Sequence, residues 1–109
     1  MKKILIGALM LALATNTYAD CSAGACSGVK IQNLYAMANG TITVETTGNE
    51  KNLNCTSTGN GYVSIAPDAA GKNAIYSLLL TAQTTQKNVY IRVVDNSNLC
   101  RINYAFIAR

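Results

Sequence analysis

The chain lacks histidine, has one proline among its 109 residues, and contains few charged residues, at 13%. The absence of histidine excludes Ser-His-Asp triads, other histidine-dependent acid–base catalysis and metal sites with imidazole ligands. The Lys and Arg residues are scattered, whereas a nucleic-acid-binding domain is expected to show a clustered basic stripe. No glycine-rich loop precedes a helical segment, so a phosphate-binding loop is excluded as well.

The carboxylates are few and fall in separate predicted elements; they are Asp20, Glu45, Glu50, Asp68 and Asp95. A glycosidase with paired carboxylates needs two of them to face one cleft. Even the closest two, Glu45 and Glu50, lie at a strand end and in the loop after it. We therefore expect solvated surface charges, with Asp68 accepting hydrogen bonds at the start of a helix. Nothing in the sequence predicts an enzyme, a cofactor or a metal site.

The one long apolar run lies at the start of the chain. Two lysines precede apolar residues over 4–14, and the small residues Thr17 and Ala19 flank a cleavage point. This arrangement predicts a secretory signal peptide over 1–19, cleaved after Ala19. The run is shorter than the roughly 20 residues that a membrane-spanning helix needs, and no second run follows. We expect a secreted or periplasmic mature chain, 20–109, that folds as a single small domain.

All four cysteines lie in the expected mature chain. Export places them in an oxidising compartment, where thiols pair, and four cysteines allow three pairings. We favour Cys21 with Cys26, because that pair is local, and Cys55 with Cys100, because it closes the domain. Closing so long a loop removes roughly 4 kcal/mol of unfolded-state entropy in the chain-entropy model. A metal or redox pair is disfavoured, since four residues instead of two separate Cys21 from Cys26.

Alternation of apolar and polar residues predicts five strands and one helix. The clearest strand is the fourth, in which Val89, Ile91 and Val93 alternate with Tyr90 and Arg92. The helix is predicted from apolar residues that recur every four positions after the single proline. The predicted elements, in order, are strands over 29–37, 41–47 and 62–66, the helix over 69–86, and strands over 88–94 and 99–107.

Two local patterns add detail to these strands. Asn39-Gly40 is the strongest short hairpin signal, and a two-residue turn there would need a positive φ at both residues. In the fifth strand, Ile102, Tyr104 and Phe106 alternate with other residues and are expected on one face.

The order β-β-β-α-β-β is that of the OB-fold, a small Greek-key barrel. A closed barrel hides the edges of short strands and buries one face of each strand together with the helix. We therefore predict a mainly β fold with one helix, an OB-fold-like five-stranded barrel stapled by disulfides. A two-layer α+β sheet with the same order is the main alternative.

The outward face of the predicted strands carries Tyr35, Tyr62, Tyr90 and Arg92 among many Thr, Asn and Ser residues. Tyrosine offers an apolar ring and a polar tip, and such a mixture suits the stacking and hydrogen bonding of sugars. Tyrosines on small β-domains also pack simply against their neighbours. Both interpretations stay open from the sequence.

Several short motifs are distributed along the chain; they are SGVKI at 27–31, LNC at 53–55, YSLLLTA at 76–82, NVYIRV at 88–93 and LCRINY at 99–104. Together these motifs resemble a family of small exported bacterial proteins that is similar to the receptor-binding B subunit of subtilase cytotoxin. The resemblance implies an OB-fold subunit in a ring of five, a secreted partner subunit, and sialylated glycans bound on the outer sheet. A ring would add avidity to each weak site.

The resemblance also implies particular binding residues. The glycan-contacting serine before the first strand matches Ser27. An acidic residue expected four positions earlier is Ala23 here, and a tyrosine expected on the fourth strand falls at Val93. Tyr90 and Arg92 lie nearby as substitutes, so the candidate ligand-binding residues are Ser27, Tyr90 and Arg92.

Two functions are therefore compatible with the sequence. The first is a non-catalytic, toxin-B-subunit-like module that recognises glycans and forms a homo-oligomer. The second is a periplasmic or cell-surface structural or interaction protein, including an inhibitor, on the same scaffold. The first predicts a ring oligomer, and the second a monomer or dimer with a protein partner.

Overall fold

The computed structural model describes residues 19–57 and 61–108. This part of the chain forms strands β1 to β7, one α-helix, α1, and one turn of 3-10 helix. Their bounds are β1 Asp20–Ser22, β2 Ala25–Val29, β3 Ile31–Ala36, β4 Ile42–Thr46, the 3-10 turn Glu50–Asn52, β5 Val63–Ile65, α1 Lys72–Thr85, β6 Val89–Val93 and β7 Ile102–Ile107. Except for Ala19, the expected signal peptide lies outside the described residues. Within 19–57 and 61–108, no helix is long and apolar enough to cross a membrane.

The strands form two antiparallel sheets, one of four strands in the order β1-β2-β6-β7 and one of three in the order β3-β4-β5. The first predicted strand is divided at Lys30 into β2 and β3, so that it contributes to both sheets. Strand β1 was not predicted from the sequence. It pairs with β2 through a tight turn in which Ala23 adopts a left-handed φ of 52°.

The barrel closes between β5 and the start of β7. Ser64 and Arg101 form a parallel bridge, and the Ser64 amide donates to the Cys100 carbonyl at 2.9 Å. The Ser64 hydroxyl donates to the Leu99 carbonyl at 2.6 Å. This contact joins the third and last predicted strands. The predicted mainly β, OB-fold-like fold with one helix is confirmed, with seven strands in two antiparallel sheets where five strands were expected.

The core lies between the two sheets and is closed by α1. The inward side chains of β2, β4, β5 and β6 are almost all aliphatic, and α1 contributes the buried Leu79 and Ala82. The helix packs against β3, β5 and β7. Where apolar and polar residues alternate, a strand can bury every second side chain in this core. The strands therefore form where that alternation is strongest.

Both favoured disulfides are confirmed. Cys21–Cys26 joins β1 to β2, and Cys55–Cys100 links the loop after the 3-10 turn to the segment before β7 across a sequence separation of 45. Leu99 and Cys100 both have left-handed φ values, 69° and 45°. Such backbone is costly for residues with a side chain, and here the disulfide and the Ser64 hydrogen bonds hold it in place. The two disulfides fit a periplasmic or extracellular protein.

The predicted hairpin at Asn39-Gly40 is present, but its turn is longer than two residues. The Gly40 amide donates to the Met37 carbonyl at 2.9 Å. Gly40 has a positive φ of 95°, whereas Asn39 does not have a positive φ. The Asn39 side chain instead accepts a hydrogen bond from the Thr41 amide at 2.9 Å. The prediction of the hairpin was right and that of the turn type was wrong.

The helix begins later than predicted, and Asp68 does not cap it. The chain first makes two turns, in which the Ala69 amide donates to the Ala66 carbonyl and the Lys72 amide to the Ala69 carbonyl, both at 3.1 Å. Gly71 then occupies the N-cap position without a side-chain hydrogen bond. Asp68 lies within the first turn, four residues before the helix begins at Lys72, and its side chain does not cap the helix.

Glu50 departs from the expectation that the carboxylates are solvated. It is only 6% exposed, and its carboxylate accepts hydrogen bonds from the Thr46 amide and, at 2.8 Å, from the Thr46 hydroxyl. Burial raises the pKa of Glu50 above its ordinary value, and the two hydrogen bonds partly oppose this shift. Glu50 thereby ties the 3-10 turn to the end of β4.

The fifth predicted strand is wrong in the face assigned to its aromatic residues. Val93 pairs with Ile102 and Arg92 with Tyr104, so the register shifts and Asn103 is the extra residue of a bulge. A shift of one residue moves the following side chains to the other face. Ile102 therefore points into the core, whereas Tyr104 and Phe106 are each 47% exposed.

Candidate functional site

The three candidate residues lie together on the outer face of the four-stranded sheet. Ser27 on β2 is paired directly with Tyr90 on β6. Arg92 lies two residues beyond Tyr90, and residues two apart on a strand share a face. Ser27 is exposed, and Tyr90 and Arg92 are half-buried. The structure thus brings Ser27, Tyr90 and Arg92 into one surface.

Two aromatic residues of β7 complete this surface. Tyr90 is paired with Phe106, and their ring centroids are 4.9 Å apart with the ring planes 13° from parallel. Tyr104 is paired with Arg92, and its ring centroid lies 6.2 Å from that of Tyr90. We call Ser27, Tyr90, Arg92, Tyr104 and Phe106 the aromatic face. Tyr104 and Phe106 were not predicted at this surface, because only the bulge turns their side chains outward.

The Arg92 guanidinium is held between a glycine and a carboxylate. It lies over Gly24, where a β-carbon would be 2.7 Å from Arg92 Cζ. Arg92 Nη2 is 3.2 Å from Asp95 Oδ1, and Asp95 also accepts from Asn54 Nδ2 at 3.1 Å. Among the described residues only Nη2 has a partner, so most of the five N–H groups of Arg92 remain for an acidic ligand.

Val93 and Ala23, the two positions at which the sequence differs from the proteins that it resembles, do not add polar groups to this surface. Val93 is 1% exposed and points into the core, so it does not replace a surface tyrosine. Ala23 is exposed in the β1–β2 turn, one residue before Gly24. The polar groups of the aromatic face therefore come from Ser27, Tyr90, Arg92 and Tyr104.

The aromatic face has the chemistry of a binding surface. Its rings stack on one another, as expected for tyrosines that pack against their neighbours, and they still leave apolar edges exposed. Hydroxyl groups and a guanidinium lie beside these edges. Across 19–57 and 61–108, the acidic and cysteine side chains form no group of three or more that could hold a metal ion.

Tyr35 and Tyr62 lie on the other sheet, away from Tyr90 and Arg92. Their ring centroids are 5.6 Å apart, with the planes 23° from parallel. A hydrogen bond with the Tyr35 phenol raises the pKa of Tyr62. The outward residues expected from the sequence therefore divide into two separate surfaces, one on each sheet.

No protein-family model, curated protein or solved structure matches this chain. The function is therefore inferred from the geometry of the two surfaces, together with the resemblance of the short motifs described above.

Proposed function

We propose that the protein is a secreted or periplasmic, non-catalytic module that binds glycans on the aromatic face. The observation that carries this proposal is the row of stacked rings of Tyr90, Tyr104 and Phe106, flanked by the Ser27 hydroxyl and the Arg92 guanidinium. A sugar ring has an apolar face that packs on aromatic carbon, and hydroxyl groups that need hydrogen-bond partners. The aromatic face offers both kinds of contact within one small surface.

The position of Arg92 favours an acidic sugar. Its guanidinium is fixed by Gly24 and Asp95, and a planar guanidinium binds a carboxylate through two parallel hydrogen bonds. Tyr104 on β7 is paired with Arg92 on β6. An acidic sugar stacked on the Tyr104 ring would therefore place its carboxylate beside the guanidinium. A sialylated glycan, the ligand class that the family resemblance implies, fits this arrangement.

The proposed site is an open sheet surface, so one copy is expected to bind weakly. The toxin-B-like interpretation adds a homo-oligomeric ring of five copies and a secreted partner subunit. A ring would present several sites to one glycan-bearing surface and raise the effective affinity. Export through the signal peptide over 1–19 belongs to the same proposal, and both disulfides support it.

The second function is that of an interaction protein with the same fold, which binds a protein partner instead of a glycan. The exposure of Tyr104 and Phe106 supports it. Exposed aromatic residues and arginine are enriched at protein interfaces. In this case the aromatic face would dock a protein partner, and the chain would be a monomer or dimer.

The proposal is tested with the oxidised chain 20–109 on a glycan array, followed by calorimetry with the best ligand. We expect the parent protein to retain sialylated glycans. The Arg92→Lys variant should bind them about tenfold more weakly, because lysine keeps the charge but cannot form the bidentate hydrogen bonds. Phe106→Ala and Ser27→Ala should weaken binding as well. Tyr35→Ala, on the other sheet, is the control and should bind as the parent does.

Two results would contradict the proposal. One is the absence of binding to any glycan by an oxidised, folded protein. The other is glycan binding that Tyr35→Ala weakens and that Arg92→Lys and Phe106→Ala leave unchanged, because the ligand would then lie on the wrong sheet.

A further inference from the structure

The three-stranded sheet carries a groove that the proposed glycan site does not use. The groove has a volume of about 400 Å³ and is lined by Tyr35, Ala36, Met37, Thr43 and Tyr62. It lies at the end of the sheet where β3 turns into β4. A recess of this volume is near the lower end of the range for small-molecule sites, which favours a small ligand over a protein segment.

The groove is lined by two tyrosine rings and a methionine thioether. Tyr35 is 44% exposed and stacks on Tyr62, and Met37 is 50% exposed. The Thr43 hydroxyl donates to the Met37 sulfur at 3.4 Å, which places the thioether over the groove. Tyrosine faces attract cations through the ring quadrupole, and a thioether is polarisable and adapts to methyl groups.

A carboxylate lies beside these rings. Val44 pairs with Val63, so Glu45, the next residue of β4, lies opposite Tyr62, and its charge is one of the causes that raise the pKa of that phenol. Asn33 Nδ2 donates to Glu45 Oε1 at 2.6 Å and orients the carboxylate. Within the described residues, Glu45 forms no ion pair with a Lys or Arg. The groove is therefore lined by aromatic rings, and the negative charge of Glu45 lies next to one of them, Tyr62.

We propose that this groove binds a small quaternary ammonium compound of the choline type. The cation would pack against the exposed ring of Tyr35, its methyl groups would contact the Met37 thioether, and Glu45 would compensate the charge. An anionic ligand or a nucleic acid would be repelled by Glu45. A neutral sugar could stack on the rings and donate a hydroxyl hydrogen bond to Glu45, but it carries no positive charge to balance that of the carboxylate.

The test compares choline with its neutral isostere, 3,3-dimethylbutan-1-ol, which has the same shape without the charge. Each compound is titrated into the oxidised chain 20–109, and binding is followed by the NMR signals of the tyrosine rings. We expect choline to bind about 3- to 30-fold more tightly than the isostere. Glu45→Gln should reduce this difference, and the rings should retain the rest, without changing the affinity for the isostere.

Ring variants separate stacking from hydrogen bonding. Tyr35→Phe keeps the ring and should retain choline, whereas Tyr35→Leu should weaken it by a factor in the same range. Arg92→Ala, on the aromatic face, is the matched control and should not alter choline binding. Because that variant is expected to lose glycan binding, failure of one site is distinguished from failure of the other. Circular dichroism verifies that each variant is folded.

The inference is overturned if choline and the isostere bind equally, if neither binds, or if Glu45→Gln and Tyr35→Leu both leave choline binding unchanged. Vesicles of phosphatidylcholine are added as a further probe. Binding to vesicles without binding to free choline would overturn the assignment of a small soluble ligand and would indicate a membrane surface instead.

Discussion

Replacing Gly24 with alanine should weaken glycan binding and leave the fold intact. A β-carbon at this position would lie 2.7 Å from Arg92 Cζ and 3.1 Å from Arg92 Nη2. Carbon atoms in ordinary contact are about 3.5–4.0 Å apart, so the guanidinium must retreat by about 1 Å. Gly24 does not have a positive φ, and alanine therefore meets no backbone strain there.

The expected loss of affinity is large compared with the expected loss of stability. A hydrogen bond to a charged group contributes about 1.5–3 kcal/mol, so displacing the guanidinium from an acidic sugar should cost roughly tenfold to a hundredfold in affinity. The fold loses at most the exposed Arg92–Asp95 ion pair, which is worth about 0–1 kcal/mol. The Gly24 carbonyl still accepts from the Val93 amide, a backbone contact at 2.9 Å that alanine preserves.

Calorimetry with a sialylated oligosaccharide and urea unfolding in the same buffer measure the two quantities separately. Gly71→Ala is a matched control, because a β-carbon at Gly71 meets only Ile75 Cδ1, at 3.9 Å. The role assigned to Gly24 is refuted if Gly24→Ala binds as tightly as the parent protein. It is also refuted if the variant loses more than about 2 kcal/mol of stability, since the site would then be a packing position.

Three further predictions concern stability. Cys55→Ser or Cys100→Ser should lower the free energy of unfolding by roughly 2–5 kcal/mol in urea, and stability equal to the parent would exclude a structural role for this disulfide. Leu79→Ala should cost about 2–5 kcal/mol because Leu79 is fully buried; a cost below about 1 kcal/mol would show that the helix does not close the core. Because burial raises the pKa of Glu50, the folded protein holds this proton more tightly than the unfolded chain does. The contribution of Glu50 to stability is therefore greatest below its ordinary pKa of about 4.5 and is lost as the pH rises through the raised value. The stability of the parent relative to Glu50→Gln should fall over that window, and a constant difference would contradict the burial of a titrating carboxyl group.

Strands β3 to β7 and the Cys21–Cys26 disulfide were predictable from the sequence because they depend on local patterns. Alternation within each strand marks which residues are buried, and the strongest alternation, over Val89–Val93, is reproduced in the structure. The pairing of Cys21 with Cys26 was predicted from their closeness in the chain, and that of Cys55 with Cys100 because it then closes the domain.

Features that depend on pairing between strands were not predictable. In β7, Ala105 and Ile107 alternate as regularly as Tyr104 and Phe106, so the sequence is compatible with either face inward. The bulge at Asn103 decides between them, and it arises from the register with β6. The burial of Glu50 likewise depends on Thr46, which the fold brings to it.

The candidate site was predicted in part. Ser27, Tyr90 and Arg92 were named from the motifs, and the structure places them on one surface. The contribution of Gly24 could not be inferred from the sequence, since its importance lies in the absence of a side chain beneath a guanidinium from another strand.

The most direct test of the central claim is an NMR titration of the oxidised, isotope-labelled chain 20–109 with sialyllactose. If the aromatic face binds glycans, the largest shifts will occur at Ser27, Tyr90, Arg92, Tyr104 and Phe106, and Tyr35 and Tyr62 will be unaffected. Shifts confined to Tyr35 and Tyr62, or no shifts at saturating ligand, would contradict the assignment of the aromatic face as a glycan-binding site.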